Sequence, residues 1–326
     1  MFADDITLIC QLKNLQNMEE ILNRNLEKLA KWAKLWRVEF SPPKTKCMIF
    51  SNMNIDYKPK LTLNAVDLFF VENHKLLGII LNSKISWDNH IDYIYSTANK
   101  CVGLLQKSSF LLPRKAKEQI YESFIRPIVE YGDILYNNST LAKLTLLDKL
   151  QRRSAVICTN SYKLTETIKL NGELGWDTLQ NKHKLSLMYK IIKRLTPKYL
   201  FNLLPQPTVH TYGTRYCNNL KHIKCRTAKY KSSFFPTTIL AWNKLNRTIK
   251  ESKSISTFKS KLCTIRNTPQ YKNICIGPTC QHHTRIRLGL SALNQQRFTY
   301  NLIENKYCDY CKDKDESPSH YFFECP

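Results

Sequence analysis

Hydrophobic residues recur at three- and four-residue spacing between Asn14 and Trp36. Leu15, Met18, Ile21, Leu22, Leu26, Leu29, Ala33 and Trp36 are set among polar residues there, and that period predicts an amphipathic helix. Around it the apolar residues come in short runs. Phe2 to Cys10 predicts a strand with a tight turn at Ala3-Asp4-Asp5. Val38 to Phe40 and Cys47 to Phe50 predict two strands parted by Ser41-Pro42-Pro43, and Leu61 to Leu63, Val66 to Val71 and Lys75 to Leu81 predict three more. After Trp87 the period becomes helical. One helix is marked by Ile91, Ile94, Ala98, Val102 and Leu105. A second runs from Pro113 through Ile120, Phe124 and Ile128, and a third from Leu141 to Val156. A fourth, carrying Leu185, Met188, Ile192 and Leu195, stops before Pro197. Pro197 to Pro236 is polar, basic and irregular, which predicts a linker or an extended binding arm, and helices resume near Thr237 to Asn246 and Ser256 to Ile265. The fold class is α+β: strands and one helix first, then a mostly helical region. No fixed-period repeat is visible, which excludes a solenoid.

Composition changes the picture at two points. With 43% hydrophobic residues, 17 Tyr, 14 Phe and 5 Trp, the 326 residues have enough apolar surface to bury a core, which excludes a wholly disordered chain. Fifty Lys and Arg against 26 Asp and Glu give a formal charge of +24, which suits a polyanionic partner. The charge is concentrated: Asn181 to Thr268 holds 19 Lys and Arg and a single acid, Glu251. A solubilising surface normally mixes both signs, so this bias favours a face for nucleic acid or another polyanion. A membrane surface is the weaker rival, because no stretch combines a strong apolar face with clustered basic residues and a lipidation signal, and no apolar run approaches the roughly 20 residues of a span. The acidic Asp4 and Asp5 stand where a signal peptide would be positive, so an intracellular location, nucleus or cytoplasm, is expected. The 12 cysteines, mostly scattered singly, then read as reduced thiols.

Two groups of residues carry candidate chemistry. Adjacent carboxylates raise each other's pKa unless a cation sits beside them, and Mg2+ resolves the repulsion while keeping positions open for phosphate. On composition alone Asp4-Asp5 is a weak signal, and a solvated acidic turn is the better reading. At the other end Cys308, Cys311, His320 and Cys325 form a C-x2-C-x8-H-x4-C array, four sulfur and nitrogen ligands at a spacing that suits tetrahedral Zn2+. Unligated cysteines beside a chance histidine are the alternative. Cys275, Cys280, His282 and His283 match no strong metal pattern, and His74, His90 and His183 stand alone as structural or surface histidines.

The surroundings of the acidic pair sharpen the reading. Phe2-Ala3-Asp4-Asp5 followed by Ile6-Thr7-Leu8-Ile9 resembles the aromatic-Ala-Asp-Asp hairpin of reverse transcriptases. Trp36 to Phe50, with Lys44-Thr45-Lys46, is similar to that family's next palm element, and His74-Lys75-Leu76-Leu77-Gly78-Ile79-Ile80-Leu81 to its primer-grip hairpin. Leu111 to Lys117 and Ile125 to Gly132 look like the thumb of Jockey-like non-LTR retrotransposons. Leu150 to Ala155, Glu173 to Trp176 and Ser232 to Pro236 resemble stretches of their C-terminal region. The resemblance covers nearly the whole chain and is weakest from Lys198 to Lys231.

The resemblance implies a division into a partial palm (1–86), a helical thumb-like region (87–165), a basic helical C-terminal region (166–300) and a small zinc-knuckle-like end (301–326). It implies RNA-directed DNA polymerase chemistry with Mg2+ on Asp4 and Asp5, an RNA template and a DNA primer or target. Phe2, Lys44, Lys46, Leu77 and Gly78 would lie at the nucleotide and primer. Lys44 and Lys46 equally read as turn lysines, and Gly78 as a strand bulge. Arg114, Lys115, Lys117, Arg152 and Arg153 would grip template–primer phosphates, although each taken alone reads better as surface charge. In the family a fingers subdomain and a palm strand with another metal-binding Asp come before the hairpin, and this chain starts at the hairpin. The expectation is therefore a C-terminal portion that does not polymerise without its N-terminal part. The alternatives are a non-catalytic nucleic-acid-binding module and a decayed element remnant.

Overall fold

The computed structural model describes residues 5–11, 15–51, 57–176, 182–205, 219–263 and 280–325. The chain divides into two compact units, Met1–His90 and Ile91–Pro326.

In the first unit the amphipathic stretch forms helix α1, Leu15–Leu35. Among the described residues, six short strands make three two-stranded sheets. β1 (Lys46–Cys47) pairs in parallel with β4 (Phe69–Phe70), β2 (Thr62–Leu63) antiparallel with β3 (Val66–Asp67), and β5 (Asn73–Leu76) antiparallel with β6 (Ile79–Asn82). Leu61, Leu63 and Leu68 form a small core, with Leu22, Leu26 and Ala30 of α1 and Phe40, Cys47 and Phe70 packed on it. Asn23 of α1 ties the helix to the strand beside it, donating to the Lys60 carbonyl at 2.9 Å and accepting from the Thr62 amide at 3.1 Å.

Several expected strands differ. Residues 6–11 carry no strand, and Asp5 makes only a single bridge. Ile6, Leu8 and Ile9 are exposed, so no buried face holds that segment extended. Residues 38–40 and 48–50 are irregular for the same lack of a partner edge. The run Lys75 to Leu81 is a hairpin rather than one strand: Leu76 pairs with Ile79, leaving Leu77-Gly78 as a two-residue turn. Both turn residues have positive φ, 47° and 82°, the geometry whose twist matches the flanking strands. Gly78 is thus a turn residue and not a bulge; the glycine has no Cβ to clash there, whereas Leu77 is strained.

The second unit is helical. Its elements are α2 (Asp88–Ser108, its first turn on the other side of the division), α3 (Arg114–Ile120), α4 (Arg126–Glu130), α5 (Asp133–Tyr136), α6 (Leu141–Thr159) and α7 (Thr167–Leu174). They continue with α8 (Lys182–Ile192), α9 (Lys198–Asn202), α10 (Ala228–Lys231), α11 (Phe234–Asn243), α12 (Arg247–Lys250), α13 (Ile255–Cys263), α14 (Cys280–Arg287) and α15 (Asn294–Thr299). The single helix expected from Pro113 to Ile128 is interrupted by a π turn at Tyr121–Ile125, where the Arg126 amide donates five residues back to the Tyr121 carbonyl. Pro127 has no amide hydrogen for the ordinary ladder, and the wider turn absorbs the gap. The stretch 197–236 is only partly irregular, since α9, α10 and the start of α11 lie within it; residues 206–218 lie outside the described set.

One core cluster of this unit lies where α8, α11 and α13 meet. Leu185, Met188, Tyr189, Ile239, Trp242 and Phe258 are buried together. Phe258 is fully buried between Tyr189, at 4.5 Å between ring centroids, and Trp242, at 5.8 Å. The Tyr189 hydroxyl donates to the Ser252 carbonyl at 2.7 Å, which satisfies its polar end inside the core. No described helix is long and apolar enough to cross a membrane.

Candidate metal centre and basic residues

The metal centre is built by two turns at the end of the chain. In the first, residues 306–316 fold back on themselves. Tyr307 bridges Asp315, the Cys308 amide donates to the Lys314 carbonyl at 2.8 Å, and the Glu316 amide donates to the Lys306 carbonyl at 2.9 Å. Within the loop the Lys312 amide returns to the Cys308 carbonyl at 2.8 Å, with Lys312 at φ 58°. That reversal brings Cys311 beside Cys308. The second turn, His320–Glu324, is π-helical; its start is capped by Ser317 Oγ, which accepts from the His320 amide at 3.0 Å. It closes with the Cys325 amide donating to the His320 carbonyl at 2.7 Å.

The outcome is convergence. The ligand atoms of Cys308, Cys311, His320 and Cys325 all lie within 4.8 Å of one another. Cys308 Sγ is 3.8 Å from Cys325 Sγ, and Cys311 Sγ is 3.1 Å from His320 Nε2. Sulfurs about 2.3 Å from a shared tetrahedral ion stand roughly 3.8 Å apart, so the residues fit a metal. Amides of Asp313 and Lys314 point at Cys311 and hold its thiol down at about 6, poised as a thiolate. Burial, then the neighbouring Cys308, pushes Cys325 up to about 11. A cation among them removes that conflict, since three thiols this close cannot all ionise alone. Cys308 and His320 are buried, and His320 Nδ1 has no hydrogen-bond partner among the described residues. α15 anchors the knuckle: the Asn294 amide donates to the Glu316 carboxylate at 2.6 Å, and the Asn294 side chain donates to the Tyr307 carbonyl at 3.0 Å.

The residues expected at the nucleotide and primer are spread over the first unit. Phe2 and Asp4 lie outside the described residues, and Asp5 is exposed. Lys44 is exposed in the turn after Pro43, and Lys46 opens β1 with its ammonium 5.7 Å from the centre of the Phe69 ring. Leu77 and Gly78 form the hairpin tip described above.

The basic residues of the second unit divide into engaged and exposed. Arg114 is held on three sides: Nε donates to Glu118 at 2.7 Å, Nη1 to Glu173 at 2.7 Å and to Thr284 at 2.8 Å, and Nη2 to the Glu173 carbonyl at 3.1 Å. Arg287 reaches the same Glu173 carboxylate at 2.7 and 3.1 Å, so the buried Glu173 stands between two guanidinium groups. Lys117 is buried, which pulls its pKa down, and its ammonium lies 3.5 Å from the Ile157 carbonyl. Arg152 holds the carbonyls of Lys163 and Thr165. Arg153 is exposed and links α6 to α2 through Asn99 at 2.9 Å and Gln106 at 2.6 Å. Lys115 faces solvent.

Sequence reasoning missed Glu173 and Thr284 as partners of Arg114, and Arg287 as the second guanidinium on Glu173, because they come together only through folding over separations of 59 to 170 residues. It also missed His183. Its Nδ1 lies 2.8 Å from Asp133 and its Nε2 4.0 Å from Glu130. The Asp133 hydrogen bond raises the His183 pKa. Among the other histidines, His90 is buried and its Nδ1 accepts from the Ile80 amide at 3.4 Å. Cys275 and the side chain of Cys280 lie outside the described residues.

Beside the basic bias and the Cys-His set stands a similarity in sequence to known proteins. No protein-family model and no solved structure matches the chain. Over 247 residues it is 25% identical to the RNA-directed DNA polymerase from mobile element jockey of Drosophila melanogaster, a match covering 73% of this chain and 26% of that protein. Over 155 residues it is 24% identical to the polymerase of the same description from Drosophila funebris, covering 47% and 17%. The chain is thus similar to Jockey-like non-LTR reverse transcriptases, and it spans about a quarter or less of the curated relatives it matches.

Proposed function

We propose that this chain is the end of the palm, the thumb and the C-terminal region of a Jockey-like non-LTR reverse transcriptase, working on an RNA template and a DNA primer or target. The observation that carries the reading is the match to a jockey RNA-directed DNA polymerase across 73% of the chain. In this reading Asp4 and Asp5 hold Mg2+, which neutralises developing charge in phosphoryl transfer, and Lys44, Lys46, Leu77 and Gly78 steady nucleotide and primer. Two Mg2+ ions need more carboxylate than Asp4 and Asp5 supply, so this polypeptide by itself binds nucleic acid and does not extend a primer; polymerisation requires a palm strand with a further Asp.

The basic stretch of the second unit is the nucleic-acid face. Arg114, Lys117 and Arg152 are engaged inside the fold, so the phosphate contacts fall to exposed residues such as Lys115 and to the exposed lysines between 182 and 261. The Cys308, Cys311, His320 and Cys325 set is a closed structural Zn2+ site, with four ligands and no position left for substrate.

Binding of a labelled primer–template to the 326-residue chain, titrated with salt, tests the reading together with primer extension in Mg2+. Affinity should fall steeply as salt rises, with a slope near 0.9 for each phosphate neutralised. Extension should appear only when a palm and fingers segment is supplied, and should vanish with Asp4→Asn. Salt-insensitive binding, or extension that survives Asp4→Asn, would sink the proposal.

A further inference from the structure

The knuckle differs in charge from the region before it. Residues 301–326 carry three lysines against six carboxylates in a chain of net charge +24. Two of the lysines are already paired, Lys306 with Asp315 at 2.9 Å and Lys314 with Glu324 at 3.3 Å. The same segment exposes large aromatic rings: Tyr310 is 81% exposed, Phe323 86%, and Tyr321 and Phe322 more than half.

Beside the sulfurs lies a depression of about 430 Å³ lined by Cys308, Asp309, Tyr310, Glu316, Tyr321 and Cys325. It contains two carboxylates and two electron-rich rings and no lysine or arginine. Rings of this kind also stack on unpaired bases, so exposed aromatics next to a knuckle would ordinarily suggest single-stranded nucleic acid. The charge argues otherwise. A phosphate chain laid here would meet Asp309 and Glu316, and binding of nucleic acid needs the opposite sign. Carboxylates beside tyrosine faces instead suit a cation, which gains from both the charges and the ring quadrupoles.

We infer that the depression formed by Asp309, Tyr310, Glu316 and Tyr321 is a docking site for the lysine or arginine side chains of a basic segment of a partner protein. The division of labour follows from charge: the basic stretch before the knuckle takes nucleic acid, and the acidic aromatic end takes a basic polypeptide. The inference goes beyond the polymerase reading and does not depend on it.

The test uses the full 326-residue chain and two labelled probes, a short peptide of Lys, Arg and Gly and a single-stranded oligothymidine, read by fluorescence anisotropy at physiological ionic strength. The peptide should bind saturably. Tyr310→Ala and Tyr321→Ala should each weaken it about two- to fivefold, Asp309→Asn should weaken it as well, and Tyr310→Phe, which keeps the ring, should bind as the parent does. None of these should change oligothymidine affinity. Equal metal content in parent and variants shows that the knuckle is intact, and a metal-free parent that still binds peptide would sink the zinc assignment while supporting the pocket. Peptide affinity that ignores all three disruptive variants overturns the inference. So does oligothymidine affinity that falls with the tyrosine variants, which would make the face a base-stacking platform. Self-association in sedimentation that is lost with Tyr310→Ala overturns it too, since the occupant would then be a second copy.

Discussion

The two units bury their apolar residues very differently. Among the described residues, the first, Met1–His90, has a core cluster of three buried leucines packed on one helix, and its sheets are two-stranded pairs. Trp32, Leu35, Trp36, Val38, Phe50 and Phe69 remain exposed on it. The second unit packs Tyr189 and Trp242 against the fully buried Phe258 across three helices, with the Tyr189 hydroxyl satisfied by the Ser252 carbonyl. Helices close their own backbone hydrogen bonds and need only one face covered, while short strands need both a partner edge and a covered face. The same chain therefore makes a self-sufficient helical core and a sparsely covered strand region.

The largest test of that contrast is a pair of core truncations. Phe258→Ala removes a ring from between two others and should cost about 3–5 kcal/mol. Leu63→Ala should cost about 2–3 kcal/mol at most, with the loss confined to amides of the first unit in hydrogen exchange. Equal costs, or a loss of protection that spreads evenly over both units, would end the distinction.

Glu173→Gln comes next. It leaves Arg114 and Arg287 facing each other across a buried position, and should lower the stability of the second unit by about 3 kcal/mol in urea unfolding. A change below about 1 kcal/mol would mean that water compensates the guanidinium groups. Restoring an acid with Glu173→Asp should recover part of the loss.

A smaller effect should follow pH. Because the folded-state pKa of His183 lies above its unfolded value, the contact with Asp133 contributes fully below about 6.5 and is lost as pH rises through the folded value. His183 is more than a third exposed, so after solvent screening the contribution is under about 1 kcal/mol. Stability of the second unit should decline slightly over that window in the parent and stay flat in Asp133→Asn. A parent profile that rises with pH would contradict the assignment.

The smallest change should be a gain. Leu77 holds a φ of 47° in the hairpin turn, and Leu77→Asn should stabilise the β5–β6 hairpin by about 0.5–1 kcal/mol, seen as slower exchange of the Ile79 amide. Faster exchange would mean that Leu77 is held there by packing.

Much of this was legible in the residues. Ile91, Ile94, Ala98, Val102 and Leu105 announce α2, and all five are buried. The spacing of Cys308, Cys311, His320 and Cys325 announced a ligand set, and the fold brings their ligand atoms together. The strands were harder to read. Val38 to Phe40 has strand-forming residues but is irregular, because β propensity records a fit to neighbours that a single segment does not contain. The break at Tyr121 was hidden because the apolar period continues straight through Pro127.

Local information in the sequence determined the helical periods, the concentration of positive charge between 181 and 268, and the closely spaced metal ligands. These depend on residues within a turn or two of one another, or on composition alone. Tertiary structure decided which charges are free. Arg114 and Lys115 are neighbours in sequence, yet one is held by Glu173 and Thr284 from distant helices and the other faces solvent. It also decided that Asp309, Tyr310, Glu316 and Tyr321 share one depression. Such groupings arise from long-range packing, which fixes the direction of each side chain only after the chain has closed on itself.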